Sequence, residues 1–268
     1  MKQISLSLFA IVFFTSVNLS SSGCQEITNQ LKGNAAKTLT YKSLDDLTVT
    51  ADLYTIDNDT SLPFIILCHQ AGWSRGEYRE IAPKLNKIGF NCLAIDQRSG
   101  GEVNDVANET FKLAKSAQQE TNYTDAEQDI LAAVNHVRTK NLATGKLILW
   151  GSSYSAALVL RIAGENPDMV DGVLSFAPGE YFQRLGKPAN WIALSAAKIT
   201  APVFITSAKS EYNNWSAIFG AIAGDNKTKF IPKTKGNHGS RALWEKFDDS
   251  GDYWNAVTPF LKQFHQAR

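Results

Sequence analysis

Short, almost continuous apolar runs with helical patterns between them constrain this sequence more than any other feature. They are Phe64–Cys68, residues 92–95, 146–150 and 170–176, and Val203–Thr206, with residues 229–231 a shorter run of the same kind. A strand with one wet face alternates apolar and polar side chains. A strand covered on both faces does not, so these runs point to a parallel sheet between layers of helix. Residues 78–88 set Ile81, Leu85 and Ile88 on one helical face, and residues 124–138 do the same with Ile130, Leu131, Val134 and Val137. Residues 156–163 form a third pattern, small and apolar. Two period-two stretches, 38–41 and 47–54, come first and are separated by Asp45 and Asp46, which reads as an antiparallel hairpin. The expected fold class is α/β: a mostly parallel central sheet, an N-terminal antiparallel hairpin, and helices on both faces.

The start of the chain reads differently. Lys2 gives a positive n-region, residues 4–17 are largely apolar but short for a membrane span, and Leu19, Ser20, Ser21, Ser22 and Gly23 lead to Cys24. This is the layout of a secretory signal peptide over residues 1–23. The small run ending in Gly23-Cys24 resembles the lipobox of bacterial lipoproteins, with Ser21 at the position where Leu is usual. That resemblance implies cleavage before Cys24 and lipid attachment to its sulfur. Residues 24–37 then read as the lipidated cysteine and a polar tether, and residues 38–268 as one domain. The expectation is export across the inner membrane and anchoring through the N-terminal lipid alone, facing the periplasm or the cell surface.

A formal net charge of +1 and the lack of a Lys/Arg stripe argue against a nucleic-acid partner. Cys68 and Cys92 each sit in an apolar run and read as buried small hydrophobes; neither has metal-ligand spacing, and no metal or organic cofactor is expected. Two segments break the strand–helix rhythm, the polar stretch 100–122 and the stretch 181–199 with Tyr181, Phe182 and Trp191. Either is a candidate border for a substrate pocket, to which Trp73, Tyr181, Trp191 and Trp215 are candidate aromatic contributors.

The chemistry concentrates where run 146–150 meets Gly151, Ser152, Ser153, Tyr154 and Ser155 and then the small apolar helix. A strand, a tight turn carrying Gly-x-Ser-x-Ser, and a helix form a nucleophile elbow, in which the residues two before and two after the serine must be small. Ser153 is the candidate nucleophile; Ser152 has the wrong offset from Gly151. A serine hydroxyl needs a base. Of the four histidines, His238 alone follows the last strand in a loop, which matches the chain order nucleophile, acid, histidine. Glu211 is the first carboxylate after run Val203–Thr206 and is the leading candidate for the acid, with Glu180 and then Asp225 as alternatives. The backbone amides of Tyr154 and Gln70 are the candidate oxyanion donors. His69 reads as a structural residue holding the Gln70 loop.

On these motifs the chain resembles the α/β-hydrolases, and within them the dienelactone-hydrolase-like and acetyl-esterase-like group. The residues that carry the resemblance are His69-Gln70-Ala71-Gly72, Asp96-Gln97-Arg98, Gly151 to Ser155, and His238-Gly239. It implies the α/β-hydrolase fold, a structural ion-paired corner at Asp96 and Arg98, and a serine hydrolase that cleaves a small-molecule carboxylic ester through an acyl-enzyme. A peptidase or thioesterase with the same three residues, or an inactive hydrolase-like binding lipoprotein, are the other readings. Ser155 stands where the family more often has glycine, and the acid segment lacks the usual Gly-x-x-Asp.

Overall fold

The computed structural model describes residues 36–265. The leader, Cys24 and most of the tether lie outside the described residues. The elements run β1 (Lys37–Lys42), β2 (Thr48–Tyr54), β3 (Phe64–Cys68), α1 (Ile81–Lys87), β4 (Asn91–Ile95), β5 (Glu102–Val103), β6 (Val106–Ala107), α2 (Glu109–Ser116), α3 (Ala126–Thr139), β7 (Leu147–Ser152), α4 (Tyr154–Glu165), β8 (Gly172–Phe176), α5 (Trp191–Ala196), β9 (Val203–Thr206), α6 (Tyr212–Ala221), β10 (Lys227–Phe230) and α7 (Ser250–Lys262). Eight strands form one sheet in the order β1-β2-β4-β3-β7-β8-β9-β10, and β5 with β6 makes a separate two-stranded ribbon. The β1–β2 and β2–β4 pairs are antiparallel and the rest of the large sheet is parallel.

Continuous apolar runs become strands because both faces of the sheet are covered. Along β3, Phe64, Ile66 and Cys68 enter one core while Ile65 and Leu67 enter the other; along β7, Leu147 and Leu149 oppose Ile148 and Trp150. Residues of α3, α4, α5 and α6 complete the first core, and residues of α1 and α7 the second. Each such side chain, fully buried, contributes ~1.5–3 kcal/mol. Cys68 and Cys92 are both buried and free, on opposite faces of the sheet; in the β3–β4 register Cys68 opposes Ile95 and Cys92 opposes Ile65, so they cannot be bridged.

The sequence stretch 100–122 is more ordered than its polarity suggests. It holds the β5–β6 ribbon and α2, whose first turn is capped by the Asn108 side chain accepting from Phe111 N–H at 2.7 Å. Stretch 181–199 contains a one-turn 3-10 helix and α5.

Strand register sets the functional end of the molecule. Cys68 lies opposite both Ile95 and Gly151, Ser152 opposite Phe176, and Phe176 opposite Thr206. The carboxyl ends of β3, β4, β7, β8 and β9 therefore finish level. The loops carrying His69, Asp96, Ser153, Tyr181 and Glu211 all leave from that edge, the edge at which open α/β sheets gather reactive groups.

Candidate active site

The turn from β7 into α4 is built for close approach. A Cβ on Gly151 would strike Ser155 O and Ala156 N, so only glycine fits there. Ser153 sits at φ 59°, ψ −119°, in the left-handed region that a non-glycine residue enters only when its surroundings enforce it. Its N–H donates to Phe176 O at 2.8 Å, and its carbonyl accepts from Ala157 N–H at 3.3 Å. The serine at 155, where glycine is more common, is used: its hydroxyl accepts from Ser152 N–H at 2.9 Å and lies 2.8 Å from Cys68 O, stitching β7 to β3. The turn leaves Ser153 half-buried at the N-terminus of α4, where first-turn amides have no helical acceptor and the dipole favours negative charge. The Tyr154 ring lies inward against Tyr123, with centroids 4.6 Å apart, and its amide belongs to that first turn.

Glu211 and His238 meet. His238 Nδ1 lies 2.6 Å from Glu211 Oε1, and Glu211 Oε2 accepts from Ala208 N–H at 3.1 Å, which fixes the carboxylate in the turn after β9. With Nδ1 on the carboxylate, Nε2 is the nitrogen left for chemistry. The alternative acid is otherwise engaged. Glu180 accepts from Ile192 N–H and Ala193 N–H, both at 2.9 Å, and so caps α5. Asp225 lies in the exposed turn before β10.

The His238 loop is fastened to the elbow. Gly239 has φ 70°, and a Cβ there would strike the Ser152 hydroxyl. Ser240 N–H donates to that same hydroxyl at 2.9 Å. His238 is thus tied, through the residue two positions on, to the residue preceding Ser153. The Tyr181 phenol lies near enough to the Ser153 hydroxyl to be influenced by it, and among the described residues no hydrogen bond joins Ser153 to His238. Tyr181 donates to Ala177 O at 2.8 Å. Burial first, and then the Glu211 charge, push the Tyr181 phenol well above the ordinary range, with Ser153 opposing. Tyr181 therefore borders the site. Trp215 does not: it is fully buried, with Nε1 donating to Ser207 Oγ at 2.7 Å. Trp191 packs under Arg161, with the guanidinium 4.2 Å from its ring, and Trp73 stacks on Trp244 at 5.4 Å.

The loop after β3 corrects one expectation. Gln70 N–H does not face the cleft; it donates to Glu77 Oε2 at 2.8 Å, because a buried carboxylate is a stronger acceptor than anything the open side offers. The next amide in the loop, Ala71 N–H, has no acceptor among the described residues. His69 holds the loop as expected. Its Nδ1 donates to Gln70 O at 2.8 Å, and its Nε2 accepts from Gln97 N–H and Asn108 Nδ2, each at 3.0 Å. Burial pushes its imidazole down to about 4, so it is neutral in ordinary buffers. The corner beneath is ion-paired, but Asp96 and Arg98 do not pair with each other. Asp96 binds Arg75 at 2.7 Å, and Arg98 binds Asp129 and Asp45, each at 2.7 Å.

Glu77 is a buried carboxylate beside the elbow that the sequence did not reveal. It is fully buried in the 3-10 turn Arg75–Tyr78; Oε1 accepts from the Ser152 hydroxyl at 2.7 Å and Oε2 from Gln70 N–H. Burial pushes its carboxyl up to about 7, against those two hydrogen bonds and the charges of His238 and Arg241. A glutamate just before a helical pattern looks like any first-turn acid, and no spacing distinguishes it.

Comparison with known proteins follows this geometry. A family model described as "Serine aminopeptidase, S33" matches residues 61–227, more than half of the chain. No curated protein matches by sequence. Among solved structures, the Pyrococcus furiosus esterase Pf2001 aligns with a TM-score of 0.66 at 17% identity, covering 85% of this chain and 92% of that one. The dienelactone hydrolase of Anabaena variabilis aligns at 0.64 and 14% identity, covering 87% and 100%. The dipeptidyl peptidase 4 of Porphyromonas gingivalis aligns at 0.64 and 13% identity, covering 90% of this chain and 37% of that one. At these identities the likenesses establish the fold, and the family match adds descent: the chain is a hydrolase of the α/β-hydrolase fold and belongs to the serine aminopeptidase (S33) family.

Proposed function

We propose that this protein hydrolyses a small-molecule carboxylic ester through an acyl-enzyme on Ser153. The observation that carries the reading is the 2.6 Å Glu211–His238 pair on a loop hydrogen-bonded to the elbow that holds Ser153 in its strained conformation. His238 Nε2 takes the hydroxyl proton as Ser153 Oγ attacks the ester carbonyl. Glu211 keeps the imidazole in the reactive tautomer and stabilises it once it is charged. The tetrahedral oxyanion forms beside the amides of Tyr154 and Ala71, the latter replacing Gln70. His238 then returns the proton to the departing alcohol, and water enters by the same route in reverse. Substrate binding brings the Ser153 hydroxyl to Nε2, since catalytic hydrogen bonds often tighten only in the complex. No organic cofactor or metal takes part in this scheme. The chain's leader and Cys24 support a lipid-anchored protein exported across the inner membrane.

The family description and the likeness to a dipeptidyl peptidase favour a peptidase as the second reading. The test is a rate comparison between p-nitrophenyl acetate and aminoacyl anilides, with fluorophosphonate labelling alongside. Ester turnover and labelling, both abolished in Ser153→Ala, are the expected result. Faster cleavage of the anilides would select the peptidase. Folded protein that never labels would leave a binding module.

A further inference from the structure

Three loops must be held in one register for the scheme above: the loop after β3 that offers an amide to the oxyanion, the elbow, and the His238 loop. One buried side chain touches or reaches all three. Glu77 Oε2 accepts from Gln70 N–H in the first loop at 2.8 Å. Glu77 Oε1 accepts from the hydroxyl of Ser152, next to Ser153, at 2.7 Å. That hydroxyl in turn accepts from Ser240 N–H, two residues beyond His238, at 2.9 Å. Trp244 Nε1 donates to Glu77 O at 2.9 Å and holds the backbone of the same residue to the segment after His238. Gln70 stands 7 residues from Glu77 in the same connection, whereas Ser152 and Trp244 stand 75 and 167 residues away, so those two ties are tertiary.

The direction of the donors says which form of the carboxyl fits. Both oxygens receive hydrogens, one from an amide that can only donate. A proton on Oε1 would have to be given to Ser152, whose own hydroxyl hydrogen would then have to leave Oε1. Among the described residues no Lys or Arg forms an ion pair with Glu77. The titratable and charged groups around it are Cys68 on β3, Tyr78 beside it, Tyr154 on α4, and His238 and Arg241 on the loop before α7. Of these, His238 gains positive charge in the transition state and is stabilised by an anion nearby.

We propose that the Glu77 carboxylate is a positioning residue for the ester hydrolysis proposed above, holding the oxyanion loop, the nucleophile elbow and the His238 loop in one register, and that it does so as the anion. The inference rests on that reading of Ser153 and His238. A shift of one of these loops by about 1 Å is enough to cost ~100-fold in rate. Glu77→Gln keeps the shape and one acceptor but fixes the group neutral. Ser152→Ala keeps the Glu77 carboxyl but removes the hydroxyl bonded to Oε1, and with it the branch to Ser240, while the bond from Gln70 N–H stays.

The experiment measures p-nitrophenyl acetate hydrolysis by the full chain, wild type and both variants, across pH, with fluorophosphonate labelling of the same samples. In Glu77→Gln, kcat falls ~100-fold while KM stays within about threefold, as expected for a residue that never touches substrate. The acid limb of kcat/KM is shallower by one proton in Glu77→Gln than in wild type, because the Glu77 carboxyl no longer has to ionise. Ser152→Ala loses kcat by ~10-fold with the wild-type slope retained. If Glu77→Gln does not fold, Ser152→Ala decides, and full activity there overturns the proposal. A wild type that labels while both variants keep kcat within about threefold and an unchanged acid limb overturns the role of Glu77 alone. A wild type that neither labels nor turns over the ester overturns the hydrolase reading itself.

Discussion

Two buried carboxylates, Asp129 and Glu77, are held in opposite ways. Asp129 faces a full positive charge. Arg98 reaches it through Nη2 at 2.7 Å and Nε at 3.0 Å, while the same guanidinium grips Asp45 through Nη1 at 2.7 Å and Nη2 at 2.8 Å. Ser43 Oγ completes the set by donating to Asp129 Oδ1 at 2.6 Å. Burial pushes Asp129 up, and Arg98 opposes it; Asp45, at the open end of the same guanidinium, is pulled below its usual range by Arg98. Glu77 has only neutral donors and distant charges, and burial wins, taking it to about 7. A carboxylate clamped by arginine is scaffold, with a fixed cation opposing the effect of its burial. One held by an amide and a hydroxyl can change charge within the range in which an enzyme operates. The first joins the β1–β2 loop, the turn after β4 and α3. The second joins the loops around Ser153.

Breaking the scaffold pair gives the largest effect. Arg98→Ala leaves Asp129 buried without its cation, and removing one partner of such a pair costs ~3–5 kcal/mol. Denaturant unfolding of the variant should show the unfolding free energy lowered by that amount, through a lower midpoint with little change in m. A loss below about 1 kcal/mol would mean that water reaches Asp129 and the corner is less closed than its burial implies.

Glu77→Gln is expected to act on stability with the opposite sign at high pH. The folded carboxyl titrates at about 7 against an ordinary value of 4.5. Between those values the folded state keeps a proton that the unfolded chain has released. Wild-type stability from this group is therefore fully present below about 4.5, falls as pH rises, and is lost above about 7. The span corresponds to about 3 kcal/mol. Glu77→Gln removes it. The difference in unfolding free energy, variant minus wild type, should rise by that order between pH 4.5 and pH 8. Asp96, pushed up to about 6 by burial, and His69, pushed down to about 4, titrate in both proteins and cancel in the difference. A flat difference would mean that the Glu77 carboxyl is not raised, and the contrast with Asp129 would fail.

The same contrast explains what could be read from the sequence. Strands covered on both faces announce themselves as continuous apolar runs, so β3, β4, β7, β8 and β9 were legible, and so was the junction carrying Ser153. His238 followed from chain order, because four histidines left one in a loop after the last strand. The acid was legible only as a choice. Glu180 drops out because it caps α5, a fact of tertiary position. Helix α2 was missed because its few apolar residues make a weak periodic signal, and its order comes from the Asn108 cap and neighbouring structure. Gln70 was misjudged for the reason that Glu77 was overlooked. The direction of one amide depends on a carboxylate whose own partners lie far along the chain.

The smallest expected effect comes from a third kind of tie, one without charge. Ser155 joins the ends of β7 and β3 through its hydroxyl, with Ser152 N–H at 2.9 Å and Cys68 O at 2.8 Å. Ser155→Ala keeps the small side chain that the elbow requires and removes only this oxygen. Ser152 N–H is then left buried without an acceptor, which costs about 1–2 kcal/mol, less than the arginine clamp and less than the full titration of Glu77. Thermal unfolding should report a downward shift of a few degrees. Activity separates two roles. If the hydroxyl only stitches strands, kcat at a temperature well below unfolding stays within about threefold of wild type, because Ser152 keeps its bond to Glu77 and Ser240 keeps its bond to Ser152. A kcat loss as large as that of Ser152→Ala would show that the register of the elbow depends on the neutral stitch as much as on the carboxylate, and the division between scaffold and site would have to be drawn one residue further along α4.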